Sequence, residues 1–235
     1  MSFEIKKDFS KVMILATGDG WDLAPRESEK IIYALNDYIL IEKYGIRPDF
    51  LFMMDVLDEK PQVISGIQNL ADTIVRINKM RVPLIGPFKY EEIPFSQEFP
   101  IEDCVKEFGL PYFTNTICYM IAYALLQGAK EIELYGVNQA GSNEYVEEKG
   151  GVEYWIGVAL GRGVKLTING KNSMLMKFKG RYGRDMLYGY LQSYPEIIQT
   201  KEKFGGLVVK KLIHASVPFS RELVQRKVKY QLITF

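Results

Sequence analysis

The chain has 235 residues, 47% of them hydrophobic and 25% charged, with 30 basic against 29 acidic side chains. That is ordinary globular composition, and the balanced charge gives no electrostatic case for duplex nucleic acid or an anionic membrane surface. The opening MSFEIKKDFSK has no apolar h-region and no run reaches about 18 apolar residues, so neither a signal peptide nor a membrane span is expected, and the cytoplasm is the expected compartment.

In chain order, Val12 to Ala16 is a short apolar run closed by Thr17-Gly18-Asp19-Gly20, which reads as a buried strand. Glu27 to Tyr44 carries Ile31, Ile32, Leu35, Ile39 and Leu40 at helical spacing and stops at Gly45. Phe50 to Met54 is a second strand ending at Asp55, which completes a βαβ unit. Val63 to Ile77 reads as a helix, and Arg81 to Ile85 as a strand closed by Gly86-Pro87. Residues 88–111, rich in Pro, Phe and Glu, have no clear period and are expected to form an irregular excursion. Thr116 to Gln127 is a strongly apolar helix stopped by Gly128, and Glu131 to Tyr135 a strand closed by Gly136. Val152 to Leu160 and Val164 to Ile168 add a helix and a strand.

This alternation predicts an α/β fold: a Rossmann-like, mostly parallel sheet with helices on both faces, in a single domain with an irregular C-terminal extension. The boundary is placed so that residues 1–178 form the nucleotide-binding domain and 179–235 the extension. The tail VKYQLITF alternates like a strand, and an edge of that kind can pair with a second copy, so a homo-oligomer is expected.

Ligands of open parallel sheets bind outside the carboxyl ends of the strands. Those ends carry Gly18-Asp19-Gly20, Asp55, Gly86-Pro87 and Gly136-Val137-Asn138. Glycines admit a phosphate or sugar to the backbone, and a helix N-terminus favours an anion. The alternatives are structural: a tight turn at Gly18 to Gly20, and helix caps at Asp55 and at Thr114-Asn115-Thr116. Tyr145, Glu153, Tyr154 and Trp155 follow the strand ending at Tyr135. They read either as core aromatics or as phosphate-binding hydroxyls with Glu153 as a base. The two cysteines, Cys104 and Cys118, form no CxxC pair, and Cys118 reads as a buried thiol. The single histidine, His214, lies beyond the repeating part, so no histidine base is expected within it.

Taken in order, these motifs resemble the bacterial sialyltransferases that use CMP-activated sugars and the related motility accessory factors. GDGWDL at 18–23 is similar to that family's Gly-Asn-Gly-Pro-Ser-Leu loop, and Leu35-Asn36-Asp37 to the Asn closing its next strand. Pro48-Asp49 with Asp55 matches a PD…D strand. TNTICYMIAYALLQGAKEIELYGVN at 114–138 resembles TSG, a helix and LGYKEIYLCGID. SNEY at 142–145 and NSMLMKF at 172–178 resemble its later Ser-Ser-Tyr and NSLL elements. The family's Ser-Gly stands here as Asn115-Thr116, its Asp after Gly-Ile as Asn138, and its catalytic histidine has no counterpart.

The resemblance implies a metal-independent glycosyltransferase with no cofactor, its nucleotide-sugar donor being a substrate of the CMP type and its acceptor a hydroxyl. The nucleotide would lie over Gly18, Asp19, Gly20, Asn36 and Asp55, with Thr114, Asn115, Thr116, Gly136 and Asn138 around it. Tyr145 and Tyr154 would steady the leaving phosphate, with Glu153 standing in as base. Two alternatives remain: a non-catalytic module binding a nucleotide, sugar or protein, and a Mg-dependent diphosphokinase-like enzyme using Asp49, Asp55 or Asp58.

Overall fold

The computed structural model describes residues 7–35, 45–54, 70–110, 112–139, 143–170, 173–176, 208–209 and 232–233. The chain divides into two compact units, Met1–Leu175 and Met176–Phe235. Among the described residues, the first holds seven strands: β1 (Asp8–Leu15), β2 (Lys30–Leu35), β3 (Phe50–Phe52), β4 (Leu84–Gly86), β5 (Ser96–Glu98), β6 (Glu131–Tyr135) and β7 (Lys165–Asn169). Its helices are α1 (Leu70–Met80), α2 (Ile101–Phe108), α3 (Thr116–Leu126) and α4 (Asn143–Gly161), with a short 3-10 turn at Trp21–Leu23. The strand order is β5-β4-β3-β2-β1-β6-β7, and every pairing is parallel. The Rossmann-like α/β architecture expected from the alternation is therefore present.

A parallel strand covered on both sides needs apolar residues in succession rather than in alternation. Val12, Met13, Ile14 and Leu15 are all fully buried. Val12 and Ile14 face the cluster containing Ile117 to Ala124 and Trp155 of α3 and α4, while Met13 and Leu15 face the one containing Ile77 of α1. The first cluster is strongly aromatic. Tyr33, Phe52 and Tyr123 meet at centroid distances of 5.0 to 5.9 Å, and Phe113 stacks on Trp155 at 4.9 Å. Trp155 is fully buried and donates its indole N–H to the Tyr112 carbonyl at 2.8 Å.

The structure corrects three expectations. The helix expected from Glu27 to Tyr44 is not formed at its start, because Lys30–Leu35 is strand β2; residues 36–44 lie outside the described set. Ile31, Ile32, Tyr33 and Ala34 satisfy helical spacing only because the run is continuously apolar. Such a run also fits a central strand buried on both faces, and its β-branched and aromatic content favours the strand. Residues 88–111 are not wholly irregular, since they contain β5 and α2. β5 buries one residue, Ser96, and so leaves no periodic signal; α2 ends at Gly109, whose φ of 87° needs glycine. The helix expected at Val152 to Leu160 begins nine residues earlier, at Asn143. The pair Gly150-Gly151 hides it in the sequence. A Cβ on Gly151 would collide with the Thr114 side chain, so that glycine marks a close helix approach and not a break.

Of the tail, Leu232–Ile233 (β9) pairs antiparallel with Val208–Val209 (β8) in the second unit, so the expected strand finds a partner within its own chain. Among the described residues, no helix is long and apolar enough to cross a membrane.

On one face of the sheet, Lys30 bridges strands, with its ammonium 2.5 Å from Glu131 and 2.7 Å from Glu133. Partial burial pulls the Lys30 pKa down, but the hydrogen bonds to the two carboxylates raise it further, and the net direction is up. Hydrogen bonding to Lys30 in turn holds the Glu131 carboxyl below its ordinary range. A carboxyl with a depressed folded-state pKa contributes stability above its unfolded value and loses it as pH falls through the folded one. Lys30→Met is therefore expected to be less stable than wild type at neutral pH, with the difference narrowing as acid protonates the carboxylates; urea unfolding across pH measures this. Trp155→Ala is expected to cost about 3–5 kcal/mol by the same assay.

Candidate functional site

The chain runs outward from β1 through β2, β3, β4 and β5, and α3 then returns it to β6 on the other side of β1. The carboxyl ends of β1 and β6 are thus the topological switch point, where open α/β sheets bind ligands. Here the two chain ends touch backbone to backbone. Ala16 N–H donates to Tyr135 O and Gly18 N–H to Gly136 O, each at 2.9 Å. A Cβ on Gly18 would lie 2.5 Å from Gly136 O, and one on Gly136, whose φ is 67°, would lie 2.5 Å from Ala16 O. Only glycine fits either corner.

A side chain then clasps the first loop. In the orientation that satisfies both partners, the Asn138 amide donates to Asp19 O at 2.9 Å and accepts from Asp19 N–H at 2.7 Å. Asn138 O accepts from Met174 N–H, and Val137 O from the Ser173 hydroxyl, which tie in the chain after β7. Gly20, at φ 89°, packs against Gly170. Gly18, Asp19, Gly20, Gly136 and Asn138, chosen from the sequence as separate motifs, therefore form one corner. β2 ends at Leu35, immediately before Asn36, and β3 ends at Phe52; Asn36 and Asp55 themselves lie outside the described residues.

A second constellation joins α3 to α4. The Asn115 side chain caps α3 by accepting from Cys118 N–H at 3.3 Å, and its amide donates to Glu148 Oε2 at 2.9 Å. The Thr114 hydroxyl donates to Glu148 O at 2.7 Å. Thr116 is the first residue of α3. The helix-cap role considered for this triplet is thus present. Burial raises the Cys118 thiol pKa, against hydrogen bonds from Thr114 and Asn115 that lower it, so the thiol stays protonated and unreactive near neutral pH.

Glu148 had no sequence signal of its own, because EEKGG reads as a solvated charge run. Only the approach of α4 to the α3 N-terminus gives its carboxylate a place.

The three residues expected to be catalytic are spread along α4. Tyr145 lies in its first turn. Glu153 and Tyr154 come eight and nine residues later, about 12–14 Å along the axis. Glu153 Oε1 is 2.6 Å from Lys149 Nζ, and the Tyr154 ring packs against Tyr112 at 5.7 Å and Trp155 at 5.4 Å. Asp49 sits at the start of β3, the opposite end of the sheet from these loops, where Oδ2 accepts from Ile32 N–H at 2.8 Å and from Lys7 at 2.7 Å. Among the described residues, no three His, Cys, Asp or Glu side chains are arranged to hold a metal ion.

A cleft of about 620 Å³ lies elsewhere, between β5, α2 and the C-terminal end of α3, lined by Gln97, Glu98, Asp103, Lys106, Tyr123 and Gln127 among others. α3 finishes just before β6 begins, so this cleft is displaced from the strand-end corner.

Compared with protein-family models and with curated proteins, the sequence finds no match. Among solved structures, the chain is similar to the sialyltransferase CstII from Campylobacter jejuni in complex with a substrate analogue, CMP-3FNeuAc. The identity is 15% and the TM-score 0.47, over 84% of this chain and 99% of that one. It is also similar to the monofunctional alpha-2,3-sialyltransferase Cst-I from Campylobacter jejuni, at 14% identity and TM-score 0.46, over 87% of this chain and 97% of that one.

Two substitutions rank the contacts. Asn115→Ala, which removes the α3 cap, is expected to cost about 1 kcal/mol. Gly136→Ala places a methyl group against Ala16 O at a positive φ and is expected to cost more than about 2 kcal/mol. Denaturant unfolding of both variants checks the order.

Proposed function

We propose that the chain transfers a sugar from a nucleotide donor of the CMP type to an acceptor hydroxyl, without a metal ion. The observation that supports this most is the switch point itself, where two glycine corners bring β1 and β6 together beside loops that lead into helices. The N-terminus of α4, which follows the Gly136 corner, supplies partial positive charge for a phosphate, whereas that of α3 is capped by Asn115 with Glu148 beside it. The order of motifs along the sequence supports the same donor class.

In the proposed reaction the sugar leaves the CMP phosphate as the acceptor hydroxyl attacks. The leaving phosphate develops charge, which a neutral tyrosine hydroxyl would stabilise; Tyr145 and Tyr154 stand too far apart on α4 for both to reach it, and Tyr154 is the one beside Glu153, which would take the acceptor proton. For Glu153 to serve, its pairing with Lys149 must open or be shared with the acceptor. That ion pair favours a second reading, in which the site binds a nucleotide without turnover. A Mg-dependent phosphotransferase is less well supported, since the Asp49 carboxylate is held by Lys7 and the Ile32 amide at the far end of the sheet.

Incubation with CMP-activated sugars, following CMP release with and without EDTA, tests the proposal. The expected result is release that EDTA leaves unchanged and that Glu153→Gln lowers by about 10²–10⁴-fold while CMP still raises the melting temperature. CMP binding with no release from any activated sugar would establish the non-catalytic reading.

A further inference from the structure

The cleft between β5, α2 and the end of α3 has no part in the reaction proposed above. At about 620 Å³ it falls within the range of small-molecule sites, roughly 300–1,000 Å³. One buried side chain lines it. Tyr123 is only 9% exposed, and its ring packs among Tyr33, Phe52 and Phe99. Its hydroxyl makes no hydrogen bond among the described residues and opens on the cleft, whereas the hydroxyl of neighbouring Tyr33 is sealed in the interior. Burial first, and then the nearby Cys104 thiol, raise the pKa of the Tyr123 phenol, so it remains a hydrogen-bond donor.

Exposed polar side chains surround this phenol: Gln97 and Glu98 at the end of β5, Asp103 and Lys106 on α2, and Gln127 just after α3. Among the described residues none of the five makes a side-chain hydrogen bond or ion pair. Glu107 differs, because Arg162 holds its carboxylate at 2.7 Å and it adds no unpaired charge. The lining thus offers two carboxylates, one ammonium, two amides and a phenol. The carboxylates outnumber the ammonium and repel a phosphate or other anion. A cation would be repelled by Lys106 and would leave the phenol and amide donors unused. An apolar guest would find little but Pro100 and Leu126, and would strip water from polar groups without replacing their hydrogen bonds. A neutral molecule with many hydroxyls uses the whole set, since each hydroxyl can donate to a carboxylate or amide oxygen and accept from the phenol, ammonium or amide nitrogen.

We propose that this cleft is a saccharide-binding site, separate from the strand-end corner, in which Tyr123, Glu98 and Asp103 hydrogen-bond the hydroxyls of a neutral sugar. The assignment is made from the lining of the cleft and does not depend on the nucleotide-donor function.

The test titrates the full chain with maltose, lactose and cellobiose, with spermidine as a cationic control, and follows binding by calorimetry. The variants are Tyr123→Phe and Asp103→Asn. Both keep the shape of the side chain, and neither removes a hydrogen bond that the described fold makes, so their ligand-free melting temperatures are expected to match wild type. At least one disaccharide is expected to bind wild type in the millimolar range, and each variant is expected to bind it about tenfold more weakly, the effect of one lost hydrogen bond. Saturating CMP is expected to leave disaccharide binding in place. Failure of all three disaccharides to bind overturns the inference. So does binding that both variants leave unchanged, or that CMP displaces, because either result puts the sugar outside this cleft. Tighter binding of spermidine than of any disaccharide overturns the ligand class. A ligand-free Y123F that melts several degrees lower overturns the role of Tyr123 by showing that its hydroxyl serves the fold, and the same readouts on D103N then decide the site. Absence of CMP binding by wild type refutes the nucleotide function and leaves the saccharide site standing.

Discussion

The contact on which the strand-end corner depends is between two stretches of backbone. Gly18 and Gly136 approach so closely that either Cβ would press on a carbonyl oxygen of the facing chain. Parallel strands are joined at one end by long crossovers, so their loops ordinarily diverge as they leave the sheet. Here β1 and β6 stay together one step beyond their last paired residues, through Gly18 N–H to Gly136 O. That extension puts Asp19 within reach of Asn138 and Gly20 against Gly170. The corner is therefore held largely by backbone, which has little rotamer freedom.

The helix side of the site is organised differently. Asn115 uses both ends of its amide, one to cap α3 and one to hold Glu148, and Thr114 adds a hydrogen bond to the same residue. Capping and helix packing are thus joined in one short segment, and the absence of a side chain at Gly151 permits the approach. The N-termini of α3 and α4 are positioned by the same sheet that positions the glycine corners, because both helices pack on the cluster containing Val12, Ile14, Ile132 and Leu134. Each polar feature rests on continuous burial beneath it. The cost of ordering that interior is offset by closely packed rings and aliphatic side chains.

The site was legible in the sequence only where its chemistry is local. Glycines at strand ends can be read from composition and order, and so can a Thr-Asn-Thr cap before an apolar helix. β2 could not be read from spacing, since an unbroken apolar run fits both periodicities; Leu35-Asn36 was better placed by its resemblance to a strand-closing motif than by its period. Glu148 and Tyr123 were invisible for another reason. One lies in a charge run and the other in an apolar helix, and the approach of a distant element leaves no mark at either position. Asn138 was chosen as a ligand group, and the fold occupies its amide with Asp19.

By itself, then, the order of apolar runs and turn residues determined that the chain forms a parallel α/β sheet with its glycine loops at the carboxyl ends, because strand burial and turn conformation are properties of short segments. Tertiary structure decided which of those loops meet, which carboxylate faces the α3 N-terminus and which polar side chains gather around the cleft. Those outcomes depend on strand order and helix approach, set by contacts between residues distant in the chain, such as Asn115 with Glu148 and Gly18 with Gly136.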